Sequence, residues 1–148
     1  MGQEAGRASH SVAFLFRDCY SRFMDLRALI VDDSLVARLS MRKILAELGY
    51  ATEQAESGEA ALARLATGFR PSVVFLDLTM PGIGGIATLE AIARNYANLP
   101  VIVVTADIQS FSLDMAKAAG SAAIVRKPAT KDEILASLES LRLAERIP

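Results

Sequence analysis

The sequence predicts an α/β protein with a doubly wound, five-stranded parallel sheet covered by five helices. Short apolar runs without polar alternation are separated by longer segments with helical periodicity, which is the pattern of consecutive βα units. Pro or Gly stands between most of these segments and marks their ends. With 148 residues, 52% of them hydrophobic, the chain is long enough for one domain whose sheet is buried on both faces.

Four apolar runs end in polar side chains and are the predicted first, third, fourth and fifth strands. They are 27–31, 73–76, 101–104 and 122–125, followed by Asp32-Asp33, Asp77, Thr105 and Arg126-Lys127-Pro128 respectively. If the strands are parallel, these ends share one edge of the sheet, where open α/β sheets bind ligands. Asp77 alone is equally well explained as a turn-capping residue. The other polar ends favour a functional site.

Helical periodicity and glycine punctuation predict the remaining elements. The first helix has a stripe of Leu35, Leu39, Ile44, Leu45 and Leu48, is capped at Asp33 or Ser34, and ends at Gly49. A short second strand is predicted over 50–54, and further helices over 57–68, 86–93 and 110–119. Gly82, Gly84 and Gly85 are expected to form a flexible loop. The last helix begins with a capping box, Thr130 and Glu133, and carries Ile134, Leu138 and Leu141 on one face.

Composition excludes several classes of function. The net charge is -1, from 16 basic and 17 acidic residues, which gives no electrostatic footprint for nucleic acid. No apolar run approaches 18 residues, so no membrane span is expected. Cys19 is the single cysteine and His10 the single histidine, which argues against a disulfide and against histidine-based catalysis or metal binding. We therefore expect a cytoplasmic protein that binds neither nucleic acid nor membranes.

The first 23 residues lie outside the βα pattern. Residues 1–23 are expected to be an N-terminal extension, either disordered or forming one amphipathic helix over 12–23 that docks on the domain or on a partner. An alternative is that Met24 is the natural start. The domain is predicted over 24–148.

The polar strand ends form an ordered set: Asp32-Asp33, Asp77, Thr105 and Lys127-Pro128. This set resembles the receiver domain of bacterial two-component response regulators, and most of all the stand-alone type that includes the chemotaxis regulators. The resemblance covers residues 26–147. It implies a flavodoxin-like sheet with strand order 2-1-3-4-5, which places Asp32 and Asp33 next to Asp77.

Three carboxylates in one place favour the binding of a cation, because like charges raise one another's pKa unless they are neutralised. Oxygen ligands without cysteine or histidine suit a hard ion such as Mg²⁺. We expect Asp33 and Asp77 to ligate Mg²⁺ with the backbone carbonyl of Thr79, and Asp32 to act directly or through water. The alternative is an acidic pair that caps a helix and binds nothing.

The resemblance implies a phosphoacceptor, Asp77, that takes a phosphoryl group from a sensor histidine kinase or a histidine phosphotransfer protein. A carboxylate can carry phosphate as an acyl phosphate. Lys127 would offset charge on the phosphoryl oxygens, and Thr105 would donate a hydrogen bond to one of them. The chain would catalyse only its own phosphorylation and slow hydrolysis, and it would turn over no free substrate.

The expected switch residues are Thr105 and the position three residues before Lys127. Relatives carry an aromatic residue at that position, but this chain has Ile124, which puts the usual ring movement in doubt. Many relatives also have Phe directly after the Lys-Pro pair, where this chain has Ala129. Output to a downstream protein is still expected on the face of the fourth helix, fifth strand and fifth helix, with phosphorylation-dependent homodimerisation as one possible form.

Two other functions stay open at the level of sequence. One is an unphosphorylated adaptor with the receiver fold, which Ile124 leaves open. The other is a phosphatase of the haloacid dehalogenase type, which also uses an aspartate nucleophile at a strand end. Such enzymes carry a second acid two residues after the nucleophile, and here Thr79 takes that place.

Overall fold

Five strands and five helices alternate along residues 26–148, the part of the chain that the computed structural model describes. The strands are β1 (Arg27–Val31), β2 (Ala51–Ala55), β3 (Val73–Leu76), β4 (Val101–Thr105) and β5 (Ala123–Arg126). The helices are α1 (Leu35–Glu47), α2 (Gly58–Ala66), α3 (Gly84–Asn95), α4 (Ser110–Ala118) and α5 (Lys131–Leu143). The extension predicted over residues 1–23 lies outside the described residues and stays a prediction.

The strands form one parallel sheet in the order β2-β1-β3-β4-β5, so the predicted flavodoxin-like fold is confirmed. In the register of the sheet, Val31 at the end of β1 is paired with Leu76 at the end of β3. Thr105 at the end of β4 is paired with Arg126 at the end of β5. The residues that follow these strands therefore emerge at a single edge.

Successive residues of the central strands enter two different hydrophobic cores, one on each face of the sheet. In β1, Ala28 and Ile30 pack on one face, while Leu29 and Val31 pack on the other. The first core is closed by α1 and α5, and the second by α2, α3 and α4. Burial on both faces explains why these strands read as continuous apolar runs. Within the described residues, no helix has the length and apolarity needed to cross a membrane.

The predicted buried stripe of α1 is wrong at its first two positions. Leu35 and Leu39 are 57% and 46% exposed, whereas Met41 and Leu45 are buried. At about 100° per residue, the six-residue step from Leu35 to Met41 rotates the helix by about 600°, which is about 240° beyond one full turn, so these residues lie on different faces. Leu35 opens the helix directly after the acidic turn, at the edge of the sheet rather than over it.

The glycine-rich segment after β3 is only partly a loop, which corrects the prediction made from its sequence. Gly82 lies before the helix with a φ of 81°, but Gly84 is the first residue of α3 and Gly85 lies within its first turn. Ile83 occupies the N-cap position of α3 without a side-chain cap. Hydrogen bonds to Glu59 and to the Leu78 carbonyl hold the start of α3 in place of a capping side chain.

Candidate functional site

Three carboxylates meet at the carboxyl edge of the sheet. Asp32 and Asp33 follow β1, and Asp77 follows β3. One carboxylate oxygen from each residue lies within 4.8 Å of the others. Asp32 and Asp77 are buried, whereas Asp33 is exposed. The structure thus brings together the three acids that the sequence placed at this edge.

Hydrogen bonds fix both the side chain and the backbone carbonyl of Asp32 in the acidic turn. The Ser34 amide donates to Asp32 Oδ1 at 2.9 Å, and Ser34 itself caps α1 by accepting from the Ala37 amide at 3.3 Å. The Arg38 guanidinium donates to the Asp32 carbonyl at 2.7 Å. Capping by Ser34 was one of the two predicted options. The role of Arg38 was missed, because an arginine in the first turns of a surface helix carries no sequence signal of its own.

Lys127 reaches across the site from the end of β5. Its ammonium forms an ion pair with Asp32 and lies 3.3 Å from Asp77 Oδ2. Its amide donates to the Thr105 carbonyl at 2.9 Å, which ties the segment to β4. The Lys127–Pro128 peptide bond is cis. Lys127 is therefore the cation shared by the two buried acids.

Burial and charge act in opposite directions on the titration of this site. Burial raises the pKa of the Asp77 carboxyl above its usual value, although the nearby Lys127 charge and a hydrogen bond from the Thr79 amide work to lower it. Burial works to lower the pKa of the Lys127 ammonium. The hydrogen bond to Asp32 and the charge of Asp77 outweigh that effect, so the pKa of Lys127 lies above its usual value.

The segment after Asp77 is fixed by contacts that the sequence did not reveal. The Thr79 amide donates to Asp77 Oδ1 at 3.2 Å. The Ile83 amide donates to the Glu59 carboxylate of α2 at 2.9 Å. A Cβ on Gly85 would lie 2.3 Å from the Asp77 carbonyl oxygen, so this position admits only glycine without a shift of the backbone. The predicted use of the Thr79 carbonyl as a metal ligand stays a prediction.

Thr105 is buried at the end of β4, one strand away from Asp77. Its hydroxyl accepts a hydrogen bond from the Asp107 amide at 3.1 Å. The Asp107 carboxylate accepts in turn from the Gln109 amide at 3.0 Å and from the Ser112 hydroxyl at 2.6 Å. The Thr105 hydroxyl is thus linked by a chain of hydrogen bonds to the first turn of α4.

Ile124, the predicted switch residue, is half-buried on β5 and packs against the second core. With Thr105 and Leu113 it lines a cavity of about 500 Å³ between β5 and α4. The structure therefore places Ile124 and Thr105 on one cavity, as neighbours on adjoining strands. It does not bring Ile124 to the acidic cluster.

The donor set fits a hard divalent cation better than a soft one. Residues 26–148 contain no cysteine and no histidine, so oxygen ligands are what the cluster offers. Three carboxylates face a single neighbouring ammonium, which leaves an excess of negative charge in a partly buried place. The arrangement is an acidic pocket that can hold a metal ion beside a buried carboxylate.

Comparisons with known proteins agree with this geometry. The family model of the response regulator receiver domain matches residues 28–139. Response regulator MprA of Mycolicibacterium vanbaalenii is 33% identical over 118 residues, which are 80% of this chain and 51% of MprA. The chain thus spans about half the length of the curated relatives it matches.

Solved structures show the same fold. The chemotaxis protein CheY4 of Vibrio cholerae matches with a TM-score of 0.71 and 29% identity, over 76% of this chain and 95% of CheY4. A CheY-like receiver domain protein of Methanospirillum hungatei matches with a TM-score of 0.74 and 27% identity, over 81% of this chain and 94% of that protein. The chain belongs to the response regulator receiver domain family of two-component systems.

Proposed function

We propose that Asp77 is the phosphoacceptor of this receiver domain. The observation that carries the proposal is the placement of Asp77: it is buried at the end of the central strand, with the Lys127 ammonium 3.3 Å from its Oδ2. The proposed donor is the phosphohistidine of a sensor kinase or of a phosphotransfer protein. We place this exchange in the cytoplasm, which suits a chain with a single cysteine.

In the proposed reaction an Asp77 carboxylate oxygen attacks the phosphorus atom of the donor. The new O–P bond forms as the N–P bond breaks, and the bonding electrons leave with the imidazole nitrogen. Lys127 stabilises negative charge on the phosphoryl oxygens, and the Thr105 hydroxyl donates to one of them. Hydrolysis later breaks the O–P bond with water as the nucleophile, so the chain acts only on its own phosphoryl group.

The acidic pocket is the proposed magnesium site. The residues that would hold Mg²⁺ are Asp33, Asp77 and the Thr79 carbonyl, with Asp32 binding directly or through water. Bound Mg²⁺ supplies charge neutralisation at the phosphoryl oxygens. The protein's own part is to keep Asp32 ion-paired to Lys127 while Asp33 stays accessible from solvent.

The proposed output surface is the face formed by α4, β5 and α5. Phe111 and Met115 of α4 are exposed, and apolar side chains of this kind are suited to a protein contact. Asp107 and Ser112 link the Thr105 hydroxyl to the same helix. We propose that a downstream protein, or a second copy of the domain after phosphorylation, binds there.

The alternative functions make different predictions. An adaptor with the receiver fold would bind partners without a covalent change at Asp77, and Ile124 is the residue that favours this alternative. A dehalogenase-type phosphatase would turn over free phosphate esters with a second acid after the nucleophile, but Thr79 stands there. A phosphoryl adduct on Asp77 separates the phosphoacceptor from the adaptor, and sustained turnover of a free ester distinguishes the phosphatase.

The test is the intact mass after incubation with Mg²⁺ and a small phosphodonor, for the wild type and for Asp77→Asn. We expect a single phosphoryl adduct that requires Mg²⁺ and is absent in Asp77→Asn. Asp114→Asn, an exposed acid on α4, is the matched control and should label like the wild type. A folded wild-type protein without an adduct would favour the adaptor. Sustained release of phosphate from a free ester would favour the phosphatase.

A further inference from the structure

The side chain of Glu59 reaches out of its own helix to the connection that follows Asp77. Glu59 is the second residue of α2, and its Oε1 accepts a hydrogen bond from the Ile83 amide at 2.9 Å. The carboxylate also lies directly against Gly82, where an added Cβ would be 2.5 Å from Oε1. Hydrogen bonds from its own amide and from the Ile83 amide lower the pKa of Glu59, so the side chain is ionised at neutral pH. The first turn of α2 thus holds the start of α3 through a charged acceptor.

The backbone around Ile83 has little rigidity of its own. Gly82 and Gly84 flank it with φ values of 81° and 78°, and glycine adopts positive and negative φ about equally readily. Ile83 occupies the N-cap position of α3 and supplies no side-chain cap. Helix α2 approaches this residue closely, since a Cβ on Gly58 would lie 2.9 Å from Ile83 Cγ1. Contacts from α2 therefore select one conformation of this segment, and the bond to Glu59 is the polar one among them.

The same segment begins at the acidic pocket. The Thr79 amide donates to Asp77 Oδ1 at 3.2 Å, and the Gly85 amide donates to the Leu78 carbonyl at 3.1 Å. Leu78 and Thr79 are thus held between the Asp77 carboxylate and the first turn of α3. A shift of that turn would move the Thr79 amide away from Asp77 Oδ1. It would also move the Thr79 carbonyl, which is a proposed metal ligand.

We propose that Glu59 is a positioning residue for the phosphoacceptor site. The inference rests on the proposed function of Asp77 and adds a residue that is not one of the three clustered acids. By holding the Ile83 amide, Glu59 fixes the connection and, through it, the orientation of the Asp77 carboxylate and of the Thr79 carbonyl. Because a misplacement of about 1 Å can slow a reaction about a hundredfold, the loss of this one bond should be measurable at Asp77.

Three variants separate the reach of the Glu59 side chain from its charge. Glu59→Gln keeps an oxygen acceptor at the same distance but loses the charge. Glu59→Asp keeps the charge but is shorter by one carbon–carbon bond, about 1.5 Å, so its carboxylate falls short of the Ile83 amide. Glu59→Ala loses both. Glu59 is exposed, so all three variants are expected to fold.

The first readout is the rate of Asp77 labelling by acetyl phosphate at saturating Mg²⁺. The others are the Kd for Mg²⁺ from calorimetric titration and the exchange rate of the Ile83 amide proton in chelator. All three are corrected for the folded fraction measured by circular dichroism. We expect Glu59→Asp and Glu59→Ala to label about tenfold more slowly, to bind Mg²⁺ more weakly and to exchange the Ile83 proton faster. Glu59→Gln should stay within about twofold of the wild type in each measurement.

A wild-type labelling rate per folded molecule in Glu59→Ala would overturn the inference, even if that variant were less stable, and would leave Asp77 as the phosphoacceptor. A wild-type rate in Glu59→Asp would do the same. A slow Glu59→Gln would assign the effect to charge rather than to the hydrogen bond and would also overturn it. If the wild type itself neither labels nor binds Mg²⁺, the proposed function fails, and the inference fails with it.

Discussion

At the scale of single residues, the site depends on one ammonium shared between two buried acids. Lys127 forms an ion pair with Asp32 and also lies close to Asp77. The ammonium therefore offsets only part of the negative charge of Asp77. Burial therefore prevails and raises the pKa of Asp77. An incompletely compensated carboxylate lowers the stability of the folded state while it is ionised.

Asp77→Asn should therefore stabilise the metal-free protein at neutral pH, by roughly 1 kcal/mol or about 3–5 °C in Tm. The folded-state pKa of Asp77 is raised, so the penalty is present above that pKa. It is relieved as pH falls through it, because the folded state then binds the proton more tightly than the unfolded state. Thermal unfolding in chelator at about pH 7.5 and about pH 5 should show the gap between variant and wild type narrowing on acidification. A gap that widened would contradict this account.

The placement of the candidate site residues at one edge could be predicted, but their hydrogen-bond partners could not. Asp32, Asp33, Asp77, Thr105 and Lys127 each follow an apolar run, so topology alone brings them to one edge. The bond from Arg38 to the Asp32 carbonyl depends on where α1 starts and how it rotates. The local pattern of the sequence predicts neither the exact start of α1 nor its rotation.

At the scale of elements, the connection from β3 to α3 positions Asp77, the proposed phosphoacceptor. The Gly85 amide donates to the Leu78 carbonyl at 3.1 Å, and a Cβ on Gly85 would lie 2.3 Å from the Asp77 carbonyl oxygen. Helix α3 therefore starts directly against the backbone of Asp77. Sequence reasoning assigned Gly84 and Gly85 to a flexible loop, because glycines usually mark loops and close backbone packing leaves the same signature.

Gly85→Ala should destabilise the domain by about 3 kcal/mol, because the clash is with backbone atoms that cannot move without shifting Asp77. Gly84→Ala is the matched control: it has a φ of 78° but nothing within 4 Å of its Cβ, so only about 1 kcal/mol of backbone strain is expected. Urea unfolding of both variants measures the difference. The small-donor labelling rate should fall only in Gly85→Ala, and equal losses in both variants would contradict the positioning role.

Element types were predictable because four of the five strands follow continuous apolar runs and the helices show helical periodicity, most of them with a start or stop residue. Boundaries moved by one residue where pairing decided them, as in β2, which is Ala51–Ala55 rather than 50–54. The capping box of α5 was predicted and is present, with Thr130 and Glu133 bonded to each other's backbone amides. The exposed faces of α1 were not predictable from hydrophobicity, because Leu35 and Leu39 lie outside the core.

At the scale of the whole molecule, metal binding and folding should be coupled. A ligand that binds only the folded state stabilises it in proportion to its concentration relative to Kd, by about 2.7 kcal/mol at a hundredfold excess. The acidic pocket exists only when β1 and β3 are side by side, so the unfolded chain offers no equivalent site.

We expect millimolar Mg²⁺ to raise Tm of the wild type above its value in chelator, by several degrees at saturation. Asp33→Asn should lose most of this shift, because it removes a proposed ligand from an exposed position without emptying a buried one. Its Tm in chelator should stay close to that of the wild type. Differential scanning calorimetry with and without Mg²⁺ gives both values, and an undiminished shift in Asp33→Asn would exclude this residue as a ligand.

The topology followed from the order of the polar strand ends, but a cavity that opens beside Asp77, between α1 and the segment after Lys127, did not. Its volume depends on how far α1 stands from the segment after β5, a distance between elements that are some ninety residues apart in sequence. Ala129 was visible as a departure from the family pattern. The open space beside Ala129 could not be predicted, because it also depends on Ala37 and Ser40 of α1, which line the same cavity.

The position of each strand in the sheet also sets how readily its backbone opens. β3 is hydrogen-bonded to β1 and β4, whereas β5 is bonded in the described part of the chain to β4 alone. Amide protons of β3 should therefore exchange with solvent only through global unfolding, while those of β5 can exchange through local fraying of an edge. We therefore expect Asp77 to follow the slowest-opening strand of the domain, and Lys127 and Ile124 to lie where the backbone can rearrange while the rest stays folded.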